Sequence, residues 1–298
     1  MFPFVLSPLE GDTAAPQWTG CDFLVGGKST PVLEYSGNDD GWTDELTNFH
    51  EETLGDAHPI DQASRADALR QLGLYASGRK NILEVGCSSG YLLSELKRTF
   101  PEAFVMGADV VRQPLFRLAR RLPGVPLFRF DMLRCPLPDA CVDAVVMLNV
   151  LEHIEADCAA MAQALRILKP GGVVIVEVPS GPRLYDGYDR ALKHFRRYGA
   201  GELRRKLTSA GFEVVRSSHL GCFVYPAFAA VKLLNRCRGE QSEAVHSGAS
   251  FLVRAAFRLE SSLGRIVSYP FGIRCLAVGR KPARKPGESS DTTTPEAL

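Results

Sequence analysis

Glu84, Gly86 and Gly90 lie in "NILEVGCSSGYLLSEL" (81–96), where a short apolar run gives way to a turn of small residues and then to helical spacing. A strand passing through a tight turn into a helix presents backbone N–H groups at the helix start, where α/β proteins take nucleotide-like ligands. Two ligand classes fail on spacing. A dinucleotide fingerprint needs glycine where Ser88 and Tyr91 stand, and no Gly-Lys-Ser/Thr follows for a phosphate loop. What remains is acid-x-Gly-x-x-x-Gly. Gly86 and Gly90 are expected to let the backbone approach a ligand closely. Ser88 is expected at negative φ, its hydroxyl capping the helix. A second concentration of chemistry follows later. Asn149, Glu152 and His153 stand after an apolar run, and "YDGYDRALKHFRRY" (185–198) holds Asp189, His194, Arg196 and Arg197. Imidazole is the commonest general base near neutral pH, which makes His194 and His153 the candidates for proton transfer. The plainer alternative has His194 fixing its loop against Asp189 and His153 packing or capping. Arg196 and Arg197 suit an acceptor carboxylate or phosphate, or an ion pair with the acidic N-terminal residues.

The elements that must hold these groups alternate in kind. "ILEV", "AFVMGAD", "PLFRFD", "VDAVVMLNV" and "VVIVEVP" read as strands, and "YLLSELKRTF", "RQPLFRLARRL" and 154–168 as helices. "KPGG" (169–172) is expected to stop the last of these. Apolar strands separated by helices indicate a parallel sheet covered on both faces. An amphipathic helix over 61–76 leads in. After Ser180 come a loop, a helix with Gly211 as C-cap, the strand "FEVVRSSHL" and the strand "GIRCLAVGRK" (272–281).

The order of the motifs resembles that of class I S-adenosylmethionine-dependent methyltransferases of the small-molecule type. The glycine turn matches with Ser88 in place of the middle glycine. Asp109 closes the second strand, Asp131 follows the third, "NVLEHI" (149–154) follows the fourth and "ILKPGG" (167–172) precedes the fifth. The resemblance implies a Rossmann-like, seven-stranded, mostly parallel sheet with an antiparallel last strand and helices on both faces. It implies S-adenosylmethionine as cofactor. Glu84 would hold the methionine portion, Asp109 the two ribose hydroxyls, Asp131 the adenine amino group, and Met132 would pack on the ring. Gly86, Ser88, Gly90 and Asn149 complete the expected cofactor-binding set. A departure from the family is the stretch 221–271, apolar and basic, between the last two strands. The expected organisation is an acidic extension over 1–60, a methyltransferase domain over 61–281 containing that helical insertion, and a disordered tail over 282–298.

The 298 residues carry a formal net charge of +1, unevenly spread. Residues 1–61 hold 12 acids and one lysine, while 183–216 hold 9 bases and 4 acids. Either the first folds back on the second, the second meets an anionic partner, or both are solvated faces. Near-neutral charge, with no basic-aromatic stripe, argues against nucleic acid. The 8 cysteines are scattered without zinc spacing, so no metal site is expected and the thiols are read as reduced. "MFPFVLSPLEGD" lacks a basic leader region, and no run reaches the ~20 apolar residues of a membrane span. These point to a cytoplasmic protein. Arg254, Arg258 and Arg265 among apolar residues suggest a basic amphipathic helix. It would lie on a membrane, cover an apolar acceptor, or simply pack on the sheet or a second subunit. The expected activity is methylation, at oxygen, of a small or lipid-linked acceptor. The rival is a cofactor-binding module of the same fold without turnover.

Overall fold

A computed structural model describes residues 2–36, 42–53, 58–76, 78, 80–238, 251–264 and 266–283. Three short strands, β1 (Gln17–Trp18), β2 (Phe23–Val25) and β3 (Lys28–Thr30), form an antiparallel sheet of their own. After them come β4 (Val32–Glu34), α1 (Asp44–Thr53) and α2 (Pro59–Tyr75). The alternating portion is β5 (Asn81–Val85), α3 (Tyr91–Thr99), β6 (Phe104–Asp109), α4 (Gln113–Arg121), β7 (Leu127–Arg129), β8 (Val142–Leu148), α5 (Asp157–Ile167) and β9 (Leu168–Pro179). It is followed by α6 (Gly187–Ala191), α7 (Ala200–Ser209), β10 (Glu213–Leu220), α8 (Tyr225–Arg238), α9 (Phe251–Leu263) and β11 (Arg274–Arg280).

The main sheet runs β10-β11-β9-β8-β5-β6-β7-β4. β11 is antiparallel to both neighbours, and the pairs from β9 to β4 are parallel. The central strands read as near-continuous apolar runs because apolar clusters bury both faces of the sheet. From β5 the chain builds outward to β6 and β7, then returns to add β8 on the other side. The crevice at this reversal, beyond the carboxyl ends of β5 and β8, is where open α/β sheets bind ligands.

Three expectations need correction. The sheet has eight strands, because the N-terminal extension supplies β4, which pairs with β7 in register Val32 to Leu127. The extension is therefore part of the fold, with Leu6, Phe23, Val32 and Leu33 buried. It packs on α4 and β7, where Glu34 pairs with Arg112 and Arg129 and Asp44 accepts from the N–H groups of Arg112 and Gln113, and Glu45 also feels the charge of Lys193 in the basic stretch 183–216. Lastly, Lys169–Gly172 ends α5 but belongs to β9, as an irregularity where the pairing jumps from Val142–Leu168 to Ala144–Val173.

The insertion is helical, as α8 and α9, and is tied down by buried polar groups. Lys232 of α8 donates to Asp186 at 2.8 Å, and Glu260 of α9 accepts from the N–H groups of Gly221 and Phe223. Arg265 and most of the tail expected to be disordered (284–298) lie outside the described residues. The cysteines for which pairing is described are free thiols. Among the described residues no helix is long and apolar enough to cross a membrane.

Candidate active site

The turn after β5 is held by its own strand neighbours. Gly86 and Cys87 donate to the carbonyl of Ala108, and Gly90 donates to that of Cys87. Gly86, Ser88 and Gly90 all take positive φ, +76°, +41° and +72°. This corrects the expectation for Ser88: it sits in the left-handed region and does not cap α3, whose N-cap is Gly90. Its N–H instead donates to Oδ2 of Asp109 at 2.7 Å. The other oxygen, Oδ1, accepts from Val110 at 2.7 Å and Val111 at 3.3 Å. Burial raises the Asp109 carboxyl, and the amides of Ser88, Val111 and Val110 oppose that rise.

The two glycines are needed for a reason beyond ligand approach. A Cβ on Gly86 would stand 2.5 Å from Cγ2 of Val150, and one on Gly90 2.3 Å from Cδ1 of Leu118. Both positions demand the left-handed conformation and have protein where a side chain would go. The Gly86–Val150 contact also sets the "NVLEHI" loop directly against the turn.

Glu84, on β5, is buried, and its Oε2 has no hydrogen-bond partner. Burial, reinforced by the charge of Asp109, holds its carboxyl well above the usual carboxylate range. A buried carboxylate oxygen without a partner suits a cationic ligand group. S-adenosylmethionine carries an ammonium and a sulfonium, so the donor set at this crevice fits it: Glu84 for positive charge, Asp109 for hydroxyls, the Gly86–Gly90 turn for close backbone contact.

Beyond β7 the arrangement is more structural. Asp131 accepts from the N–H of Leu133 at 2.9 Å, capping a single 3-10 turn (Met132–Arg134). Met132 is buried in the main core, so its packing partners are protein. Asn149 ends β8 at φ +53°, a conformation asparagine tolerates better than most, and its N–H donates to the carbonyl of Glu177.

Tertiary structure brings His153 and His194 together, their ring centroids 4.7 Å apart. Phe195 N–H donates to the carbonyl of Glu152 at 2.8 Å, which locks the two loops. Nδ1 of His194 lies 2.9 Å from Oδ1 of Asp189. With Asp189 ionised, Nδ1 carries the proton. Burial pushes Asp189 upward, but the bonds from His194 and Arg197 outweigh it and hold the carboxyl well below the usual range. Arg197 donates to both Asp189 oxygens at 2.8 Å, and Arg196 pairs with Asp157 at 3.1 Å. The acids that pair with these guanidiniums are thus Asp189 and Asp157, and not acids of the N-terminal extension. Glu152 is fully buried, with no hydrogen-bond partner on either carboxylate oxygen; burial pushes it up to about 8.

Several contributors carry no sequence signal. Trp42, from the extension, stands 4.6 Å from the His153 ring. Lys232, a base in an apolar helix, is buried against Asp186 and Asp189. Arg274 bonds Glu177, Ser64 and Asp61, joining β11 and β9 to α2.

An eight-stranded α/β sheet with an acid-and-glycine turn at its reversal point is a Rossmann-like fold of the methyltransferase kind. Residues 57–217 match the family described as "Methyltransferase domain", and the chain belongs to that family. Two mycobacterial proteins are among its relatives. The "Probable S-adenosylmethionine-dependent methyltransferase/" of Mycolicibacterium smegmatis is 34% identical over 140 residues, 45% of this chain and 52% of that protein. The "Probable S-adenosylmethionine-dependent methyltransferase Rv3030" of Mycobacterium tuberculosis is 30% identical over 138 residues, 45% and 48% of the two chains. The matches thus span about half the length of these relatives. A solved S-adenosylmethionine-dependent methyltransferase from Archaeoglobus fulgidus shares the fold, with TM-score 0.53, 17% identity and coverage of 80% of this chain and 100% of that one.

Proposed function

We propose that this protein transfers a methyl group from S-adenosylmethionine to an oxygen of a small or lipid-linked acceptor. The observation that supports the reading is the close approach of Val150 to Gly86, in the same short loop that carries Glu152 and His153, whose ring meets that of His194. S-adenosylmethionine supplies an electrophilic methyl on a sulfonium, and displacement there by a hydroxyl leaves one proton to be removed. His194 presents Nε2 for that proton, because Asp189 occupies Nδ1 and fixes the ring. His153 and Trp42 wall the same place and limit water.

The insertion supports a lipid-linked acceptor. Its outer surface exposes Phe251 (80%), Leu252 (74%) and Ile266 (90%), with Leu259 and Val267 about half exposed. Apolar side chains so concentrated mark a contact surface, and on this reading they rest at a membrane surface or against an acceptor's hydrocarbon chain.

The test pairs calorimetry with labelling. Purified protein is titrated with S-adenosylmethionine and S-adenosylhomocysteine, then incubated with cell extract and cofactor bearing a radioactive methyl group. Binding together with label in the organic-soluble fraction supports the proposal; label only in aqueous metabolites assigns a soluble acceptor. Binding without transfer to any fraction favours a non-catalytic module, and no binding by folded protein overturns the reading.

A further inference from the structure

We infer that Glu152, His153 and His194 form a site for a divalent transition-metal cation, held by one carboxylate oxygen and two imidazole nitrogens. One ligand atom from each residue lies within 4.8 Å of the others. A cation bound at about 2.1 Å from each would draw them to about 3–3.5 Å of one another, an adjustment within reach of side-chain rotation. His153 and His194 are far apart in sequence, which is why cysteine and histidine spacing predicts no metal site here.

A second, independent observation points to a ligand. Both carboxylate oxygens of Glu152 lack hydrogen-bond partners although the residue is 1% exposed. Buried polar groups are hydrogen-bonded as a rule, and buried charges are paired or coordinate metals. A cation at this point supplies the missing partner. The surroundings are those of a prepared ligand set. His194 has its Nδ1 engaged by Asp189, which leaves Nε2 as the nitrogen to offer. Asp189 is itself held by Arg197 at 2.8 Å and approached by Lys232 at 3.5 Å. A carboxylate behind a ligating imidazole fixes the tautomer and raises basicity.

The donor set selects the kind of ion. Two imidazoles and a carboxylate suit Zn²⁺, Fe²⁺, Co²⁺ or Mn²⁺ better than Mg²⁺ or Ca²⁺, which favour all-oxygen shells. Three protein ligands leave coordination positions open, as in catalytic rather than structural sites. One consequence rests on the proposed function: an acceptor hydroxyl bound to the cation loses its proton more readily. With the cation bound, Nε2 of His194 is a ligand and no longer the base of the metal-free reading, and the proton passes from the bound hydroxyl to water. The ion site itself stands on the side-chain cluster alone.

The test is calorimetric titration of the full, chelator-treated chain with MnCl₂, CoCl₂ and ZnCl₂, beside a titration with S-adenosylhomocysteine. The expected result is one site per chain for at least one of the three ions. Glu152→Gln and His153→Gln should each weaken it at least tenfold, and Asp189→Asn should weaken it about 10–100-fold. Melting curves establish that each variant is folded, and the less buried His153 position keeps the test decisive if Glu152→Gln fails to fold. Two outcomes overturn the site: no stoichiometric binding by folded wild type, or binding undiminished in the folded variants. Binding of S-adenosylhomocysteine without any ion overturns the ion site and leaves the methyltransferase reading intact. Ion binding without S-adenosylhomocysteine binding does the reverse.

Discussion

The N–H of Ser88 donates to Oδ2 of Asp109 at 2.7 Å, across the gap between β5 and β6. This bond accompanies a serine φ of +41°, in a region that costs an L-residue about 1–2 kcal/mol relative to its preferred conformations. Ser88→Gly removes that strain and adds freedom to the unfolded chain worth roughly 0.5–1 kcal/mol. The expected net is a stabilisation of up to about 1 kcal/mol, read as a rise in melting temperature. Ser88→Val should lower it, because a β-branched side chain resists the left-handed region.

Asp109 binds the turn together and supplies acceptor oxygens at the crevice. Asp109→Asn turns one oxygen into a donor facing the amides of Ser88, Val110 and Val111. Hydrogen bonds to charged groups contribute about 1.5–3 kcal/mol. The variant should therefore bind S-adenosylhomocysteine tenfold more weakly or worse by calorimetry, and affinity within twofold of wild type would remove Asp109 from the cofactor site.

Glu84 gives the binding a pH dependence. Burial and Asp109 raise its carboxyl well above the ordinary range, so the free protein retains a proton there at pH values where an exposed glutamate has lost it. A cationic ligand favours the ionised form and lowers that pKa. By linkage, binding releases a proton and tightens as pH rises toward the raised pKa. Calorimetry in buffers of different ionisation enthalpy should detect the proton, and Glu84→Gln should abolish both its release and the pH slope.

Gly86 and Val150 should prove energetically coupled. Gly86→Ala brings its Cβ within 2.5 Å of Val150, and Val150→Ala makes room for it. In a double-mutant cycle read by urea denaturation, the coupling should be 0.5 kcal/mol or more. The rescue should be incomplete, because φ stays at +76° whatever stands opposite.

Lys232 should be an anchor of the insertion. Lys232→Met removes the buried ammonium that donates to Asp186 at 2.8 Å. Losing one partner of a buried ion pair costs on the order of 3 kcal/mol, measured here as a shift in the urea midpoint. Exposed Arg258→Met, by comparison, should change stability by less than about 0.5 kcal/mol.

The sequence by itself determined what local spacing can encode. The strand–turn–helix of 81–99, the acid at 109 that closes a strand and the helix stop before Pro170 all follow from periodicity and punctuation within a dozen residues, while the antiparallel last strand is implied by the family resemblance. The order of those motifs was enough to identify the methyltransferase fold. Tertiary structure alone decided four things. β4 is three residues long, too short for alternation to reveal it as the eighth strand. The φ of Ser88 goes with a hydrogen bond to a carboxylate on the next strand. Lys232 gains its buried partners only when the fold brings Asp186 and Asp189 against α8. Glu152, His153 and His194 become a cluster because the loop after β8 and the loop before α7 meet beyond the sheet, held by the bond from Phe195 to Glu152. Spacing along the chain reports contacts made within one element; the distance between elements is set by how the sheet orders its strands.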